Sequence, residues 1–503
     1  MNQKGSSRLI FLILSFLLCR HIMFSQVPVK DLDETVKQGL VDWKVPGMAL
    51  AIVKNGKVVY AKGFGTKNVI DKTLVDENTI FAIGSCSKAF GAAMVGILVQ
   101  EGKVNWDDKV LDHMPDYRLR DSYVTREITL RDLLCHRSGV MPDELLMFGD
   151  FSRDEIVFRS RFLPQVSSFR SKYGYHNIMI MTSGQVVARV TGKSWDENVM
   201  AKIFKPLGMS SSSTSIRDFK HDGNISTPHI VEDGKQIPIP WLNIDDVGPA
   251  GCVNSTVIDM AKWVQLHLGE GTFQGKEIWS KSVQREMHSS QMITGDPVRT
   301  PGKEQLTHFS SYGLGWGLYD YRGRKVISHS GASDGMGAVV GMIPELNLGF
   351  ISLQNRWPLG LQRNLMTRIF DAYLGVPEEE WTEIGKYKLP PFYQAKKKVK
   401  SEEPLPPSLS LEKYTGTYSS EVYGGVRVVL DEENLVLRFD HYPPAELNHF
   451  NRNTFSADFG KNIASMLKMM FRLMGSEATF KIDANAKVIE FEMPAFGVFK
   501  RTK

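Results

Sequence analysis

Cysteine is scarce in this chain. Only four occur among 503 residues, and Cys19 sits in an N-terminal apolar run. Cys86, Cys135 and Cys252 remain, an odd number with no framework spacing, which excludes a disulfide scaffold. Small buried thiols are the reading for all three. No Cys-x-x-Cys and no His-Glu-x-x-His is present, so the common metal signatures are missing and no metal or cofactor is expected. Gly192-Lys193-Ser194 looks like part of a phosphate loop, but Val187 stands where such a loop needs its first glycine. An excess of charge is lacking too. The formal net charge of +5 is too small a surplus to predict a nucleic-acid or polyanion partner. Long apolar runs are absent beyond the N-terminus, so no internal membrane span is expected.

The N-terminus has its own pattern. Lys4 and Arg8 precede the apolar run Leu9–Cys19, and Ser25-Gln26 follows as a cleavage point. That is the order of a signal peptide. Leu18 before Cys19 argues against a lipoprotein site. The protein is therefore expected to be exported, to the periplasm or beyond, with residues 1–25 removed and no membrane span left; a retained anchor is the alternative. Removal takes away Lys4, Arg8 and Arg20 and no acid, so the positive surplus shrinks further. With 42% hydrophobic and 23% charged residues, the rest reads as globular and long enough for two domains.

Met48–Val53 and Val58–Gly65 flank Asn55-Gly56, the signal of a tight hairpin. Residues 86–101 read as a buried helix stopped by Gly102. Helical segments follow at Leu130–Leu134, Ile178–Val190 and Val257–Leu268. Strand signals return at Tyr312–Tyr319, Lys325–Ser328, Ala338–Ile343 and Gly349–Leu353, and a helix at Leu361–Tyr373 closes the region. Strands from both ends bracketing a helical middle predict one α/β unit with an all-helical insertion, over residues 26–376. Residues 377–408, with six prolines among charges, read as a linker, and Lys396–Lys400 as its solvated part. Residues 409–503 alternate apolar and polar residues between turns and predict an antiparallel β barrel. For Ile463–Met474 the periodicity leaves a short helix and a pair of strands both open.

Chemistry starts from Ser-x-x-Lys, which occurs at Ser85–Lys88, Ser410–Lys413 and Ser465–Lys468. Only Ser85 opens the most apolar helix, where free N–H groups favour a developing oxyanion. Residues three apart share a helix face, so Lys88 reaches the Ser85 hydroxyl. A serine hydroxyl needs a base. Lysine serves at neutral pH when burial lowers its pKa, and tyrosine when a nearby ammonium does so. Tyr175-His176-Asn177 is the one Tyr-x-Asn of the chain and precedes an apolar helix. His-x-Gly occurs at His221, His267 and His329, but only His329-Ser330-Gly331 lies among the late strands. Gly331 there is expected to let a substrate backbone approach.

In this order, with Val45-Pro46-Gly47, Leu133-Leu134-Cys135-His136-Arg137-Ser138-Gly139, Pro249-Ala250-Gly251 and Tyr312-Gly313-Leu314-Gly315-Trp316 between them, the motifs resemble the serine β-lactamase and penicillin-binding protein superfamily, in its class C and D-aminopeptidase-like branch. Leu411–Tyr418 resembles the lipocalin-like domain that follows such modules. The resemblance implies an antiparallel sheet flanked by helices, an all-helical subdomain and a C-terminal all-β barrel. It implies that Ser85 is acylated, Lys88 tunes it, Tyr175 shuttles the proton, and Asn177 binds the substrate amide. His329 and Gly331 line the substrate site, and the backbone N–H of Ala332 joins that of Ser85 as oxyanion hole. The partner implied is a small molecule or short peptide; oligomeric state is not legible. Many such enzymes carry lysine where this chain has His329, and a neutral histidine offers no permanent cation to a substrate carboxylate. That favours a peptidase, amidase or esterase. A penicillin-binding or sensor protein that acylates without turnover, and a β-lactamase or D-Ala-D-Ala carboxypeptidase, are the alternatives.

Overall fold

The computed structural model describes residues 27–220, 223–295, 306–387, 404–460 and 463–502. The expected leader, Lys396–Lys400 and His221 lie outside them.

An eight-stranded antiparallel sheet organises the first unit. Its strands are β1 (Gly47–Lys54), β2 (Lys57–Gly65), β3 (Met292–Ile293), β4 (Ser310–Tyr312), β5 (Gly317–Tyr321), β6 (Arg324–Ser333), β7 (Met336–Ile343) and β8 (Leu348–Gln354), in the order β2-β1-β8-β7-β6-β5-β4-β3. Asn55 and Gly56 both have positive φ, so the β1–β2 hairpin is the one the Asn-Gly pair predicts. Strands β7 and β8 are buried along their whole length and carry apolar runs, as strands covered on both faces do. Met48, Leu50 and Ile52 of β1 face the terminal helices α1 (Leu32–Asp42) and α5 (Gly360–Tyr373). Ala49, Ala51 and Val53 face the opposite side, with α2 (Lys88–Gln100) and α4 (Val257–Leu268). α3 (Asn177–Thr191) packs on α2 within the helical middle.

Two expectations shift. The run 312–319 is not one strand, because Gly315 (φ 74) folds it into a β4–β5 turn. A Cβ on Gly315 would come within 2.6 Å of the Lys88 carbonyl, so the turn sits on the first residue of α2. The helix read over 86–101 begins as a 3-10 turn, Gly84–Ser87, and becomes α-helical only at Lys88. Gly102 follows with φ 67 as the expected stop.

The second unit is a closed barrel of eight consecutive antiparallel strands, β9 (Gly416–Ser420) to β16 (Gly497–Arg501). Between them lie β10 (Gly424–Asp431), β11 (Asn434–Phe439), β12 (Ala445–Asn451), β13 (Thr454–Asp458), β14 (Glu477–Ile482) and β15 (Val488–Met493). Its lumen is filled by rings: Tyr418, Phe480, Phe491 and Phe499 are buried, with neighbouring centroids 4.9–6.1 Å apart. The open question over 463–474 resolves as a helix, α6 (Ser465–Met474), with Leu467 and Phe471 buried. Residues 381–385 lie back on the terminal helices: Trp43 Nε1 donates to the Ile384 carbonyl at 3.0 Å, and Thr382 N–H to Asp371 at 2.9 Å.

Candidate functional site

The first residues of α2 meet the end of β6. Gly84 (φ 50) allows the turn that carries Ser85, and the turn presses against β6: a Cβ on Gly331 would fall 1.8 Å from the Ile83 carbonyl oxygen and 2.8 Å from the Ser85 nitrogen. The expectation that Gly331 makes room for substrate is thus revised. What approaches it is the backbone of the turn bearing Ser85. Gly331→Ala is therefore expected to push β6 off Ser85 and lower kcat by about 10²–10³-fold, the cost of losing an oxyanion donor. Steady-state rates beside a thermal melt check this; a folded variant with normal kcat would contradict it.

Lys88 is wholly buried. Its Nζ lies 3.0 Å from Ser85 Oγ and donates to the Ala250 carbonyl at 2.7 Å. Pro249 wedges between α2 and α3 where each offers a glycine; Cβ atoms on Gly91 or Gly184 would meet it at 2.8 and 2.9 Å. That packing delivers the Ala250 carbonyl, which gives Pro249-Ala250-Gly251 its purpose. Burial pulls the Lys88 pKa down to about 7, while the nearby Glu144 carboxylate opposes the fall. A neutral Lys88 can donate to Ala250 and turn its lone pair towards the Ser85 hydroxyl.

The Tyr175 side chain lies close enough to Ser85 to interact with it, and Lys88 Nζ stands over the Tyr175 ring, 4.7 Å from the centroid. Burial holds the Tyr175 phenol well above its ordinary pKa, so it is a proton donor and not a phenolate. Of the two bases left open by the sequence, the electrostatics favour Lys88.

Asn177 starts α3 and donates from Nδ2 to Glu144 at 2.6 Å. Its Oδ1 is buried without a hydrogen-bond partner, an acceptor left unsatisfied within the protein. His329 engages both ring nitrogens within the protein: Tyr312 OH donates to Nε2 at 2.7 Å, and Nδ1 donates to the Ser330 carbonyl at 2.8 Å. Burial presses its pKa down to about 3, so it is neutral. Ala332 follows Gly331 on β6, opposite Gly337. Cys86 packs behind, 3.4 Å from the His329 carbonyl, its thiol pushed up to about 12 by burial. All three described cysteines are free and buried. No three His, Cys, Asp or Glu side chains among the described residues converge as metal ligands.

Sequence reasoning missed two groups. Glu144 carried no expectation from the sequence, yet its carboxyl fixes Asn177 and lies near Lys88, with its pKa raised by burial. Nothing local in Asp143-Glu144 announces this. His136 stood inside a quoted motif without a role. It is buried at φ 61, accepts the His176 N–H on Nδ1 at 3.0 Å, and stacks near Tyr175 and Tyr312 at 4.5 and 4.7 Å. Arg137 and Arg170, both on the buried Asp132 carboxylate, brace that turn.

A family model described as Beta-lactamase matches residues 32–373. A second, described as a domain of unknown function, matches 400–501. An unguisins hydrolase of Aspergillus campestris is 29% identical over 83% of this chain and 81% of its own. Penicillin-binding protein 4 of Amycolatopsis lactamdurans is 25% identical over 75% of this chain and 94% of its own. Among solved structures, an octameric penicillin-binding protein homologue from Pyrococcus abyssi superposes with TM-score 0.61 and 24% identity, covering 93% of this chain and 99% of that one. A class C beta lactamase from Rhodobacter sphaeroides gives 0.54 and 20%, covering 68% and 98%.

Proposed function

The chain belongs to the beta-lactamase family, and from that premise we propose that it is a serine hydrolase that cleaves amide or ester bonds through a covalent Ser85 acyl-enzyme. The carrying observation is the buried Lys88, held near neutrality 3.0 Å from Ser85 Oγ, with its Nζ 4.7 Å from the centre of the Tyr175 ring. Neutral Lys88 takes the Ser85 proton as Oγ attacks the substrate carbonyl. The N–H groups of Ser85 and Ala332 receive the oxyanion. Tyr175 gives its proton to the leaving amine or alcohol and regains one from the Lys88 ammonium. Asn177 Oδ1 accepts the substrate N–H, Glu144 fixes that orientation by holding Nδ2, and Gly331 keeps β6 against the nucleophile. Water then releases the acyl group.

His329 is neutral and tied to Tyr312, so it supplies no cation for a substrate carboxylate. That supports a peptidase, amidase or esterase over a β-lactamase or D-Ala-D-Ala carboxypeptidase, and the relative named a hydrolase favours turnover over arrested acylation. The substrate is a small molecule or short peptide. In this reading residues 1–25 direct export and 26–376 form the hydrolase, joined through 377–408 to a barrel at 409–503. No described helix is long and apolar enough to cross a membrane.

A panel of p-nitrophenyl esters, D- and L-aminoacyl anilides and nitrocefin tests the assignment. Esters or anilides are expected to turn over, with nitrocefin slow. Nitrocefin hydrolysis at the rate of a dedicated β-lactamase would overturn the preference. A stable Ser85 adduct with no product release would move the protein to the acylating sensor reading.

A further inference from the structure

The barrel and the hydrolase unit form a half-open cavity of about 760 Å³ between them, within the range that holds small ligands and at the kind of place, a domain interface, where such sites form. Met141 and Phe162 line it from the hydrolase side, Tyr423 and Phe496 from the barrel, and Met470 and Met474 from α6. Glu144 lines it as well, and the same carboxyl holds Asn177. Glu144 therefore links the cavity wall to Asn177.

Two contacts tie the second unit to the first. Tyr423 donates to the buried Asp143 carboxyl, next to Glu144, in the cavity wall. Outside the cavity, at the start of α6, the N–H groups of Ser465 and Met466 donate to Asp334 at 2.8 and 2.9 Å, two residues beyond Ala332. α6 thus runs from the end of the strand carrying Ala332 to the cavity, where Met470 and Met474, four residues apart, share a face. Methionine side chains adapt to ligands of varied shape. The barrel's own lumen is full of aromatic rings, so the space it shapes lies outside it.

We infer that this cavity is the subsite for the acyl portion of the Ser85 substrate, and that this portion is large and apolar, of aromatic or branched aliphatic type. The inference rests on the proposed hydrolase function and adds a substrate class to it. The test keeps the leaving group constant: kcat/KM is measured for p-nitrophenyl acetate and p-nitrophenyl 4-phenylbutyrate on wild type and on Met474→Trp, which fills the cavity from a side chain 48% exposed, so the core is untouched. Wild type is expected to prefer the phenylbutyrate ester at least tenfold, and Met474→Trp to cut that preference at least tenfold. A wild type without the preference, or a variant that keeps it whatever its absolute rates, overturns the subsite. Turnover that survives Ser85→Ala would instead strike the nucleophile assignment, so the two failures are distinguishable.

Discussion

Ser85→Ala is expected to reduce kcat on the order of 10⁴-fold or more and to abolish adduct formation with acylating probes, since the acyl-enzyme has no other oxygen to form on. The fold is expected to survive. The Ser85 hydroxyl is bonded to Lys88, and removing it leaves Lys88 still bonded to the Ala250 carbonyl. Ser410→Ala is the control. Ser410 is an exposed residue before the short 3-10 turn Leu411–Tyr414 at the barrel's start, and its loss is expected to leave turnover intact. Intact-protein mass spectrometry after probe labelling reads the adduct directly. A labelled Ser85→Ala protein, or a folded but inactive Ser410→Ala protein, would refute the choice of motif.

Lys88 carries the second large effect. Its folded pKa of about 7 lies below the ordinary lysine value of 10.5 because burial penalises the ammonium. Below pH 7 it is protonated and cannot accept the Ser85 proton. The acid limb of kcat/KM is therefore expected to rise with pH through about 7 and then level off, with no alkaline fall from Tyr175 below pH 10 because its phenol is held up by burial. Lys88→Arg and Lys88→Met are each expected to abolish turnover, the first because arginine keeps its proton. Stability follows by linkage. Between about 7 and 10.5 the unfolded lysine binds a proton that the folded one lacks, so wild type gains stability relative to Lys88→Met as pH rises, by up to about 1.4 kcal/mol per pH unit. Paired melts at pH 6, 8 and 9.5 measure it. A constant difference, or turnover by Lys88→Met, would remove Lys88 from the role of base.

The elements around the nucleophile were largely legible because their signals are local. The Asn55-Gly56 hairpin, the apolar α2 and the amphipathic α4 each declare themselves within about a dozen residues, and Lys88 Nζ lies 3.0 Å from Ser85 Oγ, one turn apart as their spacing predicts. The reason for Gly331 was not legible. It depends on the Ile83 carbonyl, contributed by a segment about 250 residues away in sequence, as long-range packing overrides a local reading. Glu144 was hidden for the same reason: its neighbour Asp143 is buried under Tyr423, from the other domain. α6 could not be told from strands because helix and strand periodicities overlap in a short methionine-rich run.

The strand order sets when this enzyme can exist at all. β1, made early, pairs at once with β2 but finds its second neighbour only in β8, with Met48 opposite Gln354, and β9 closes the barrel only on β16, with Tyr418 opposite Arg501. Neither unit can seal its hydrogen-bond ladder until its final strand has left the ribosome. Contacts so distant in sequence make assembly slow and leave apolar edges open meanwhile. A chain cut before β8 would therefore be an aggregation-prone fragment with Ser85 present and no site around it.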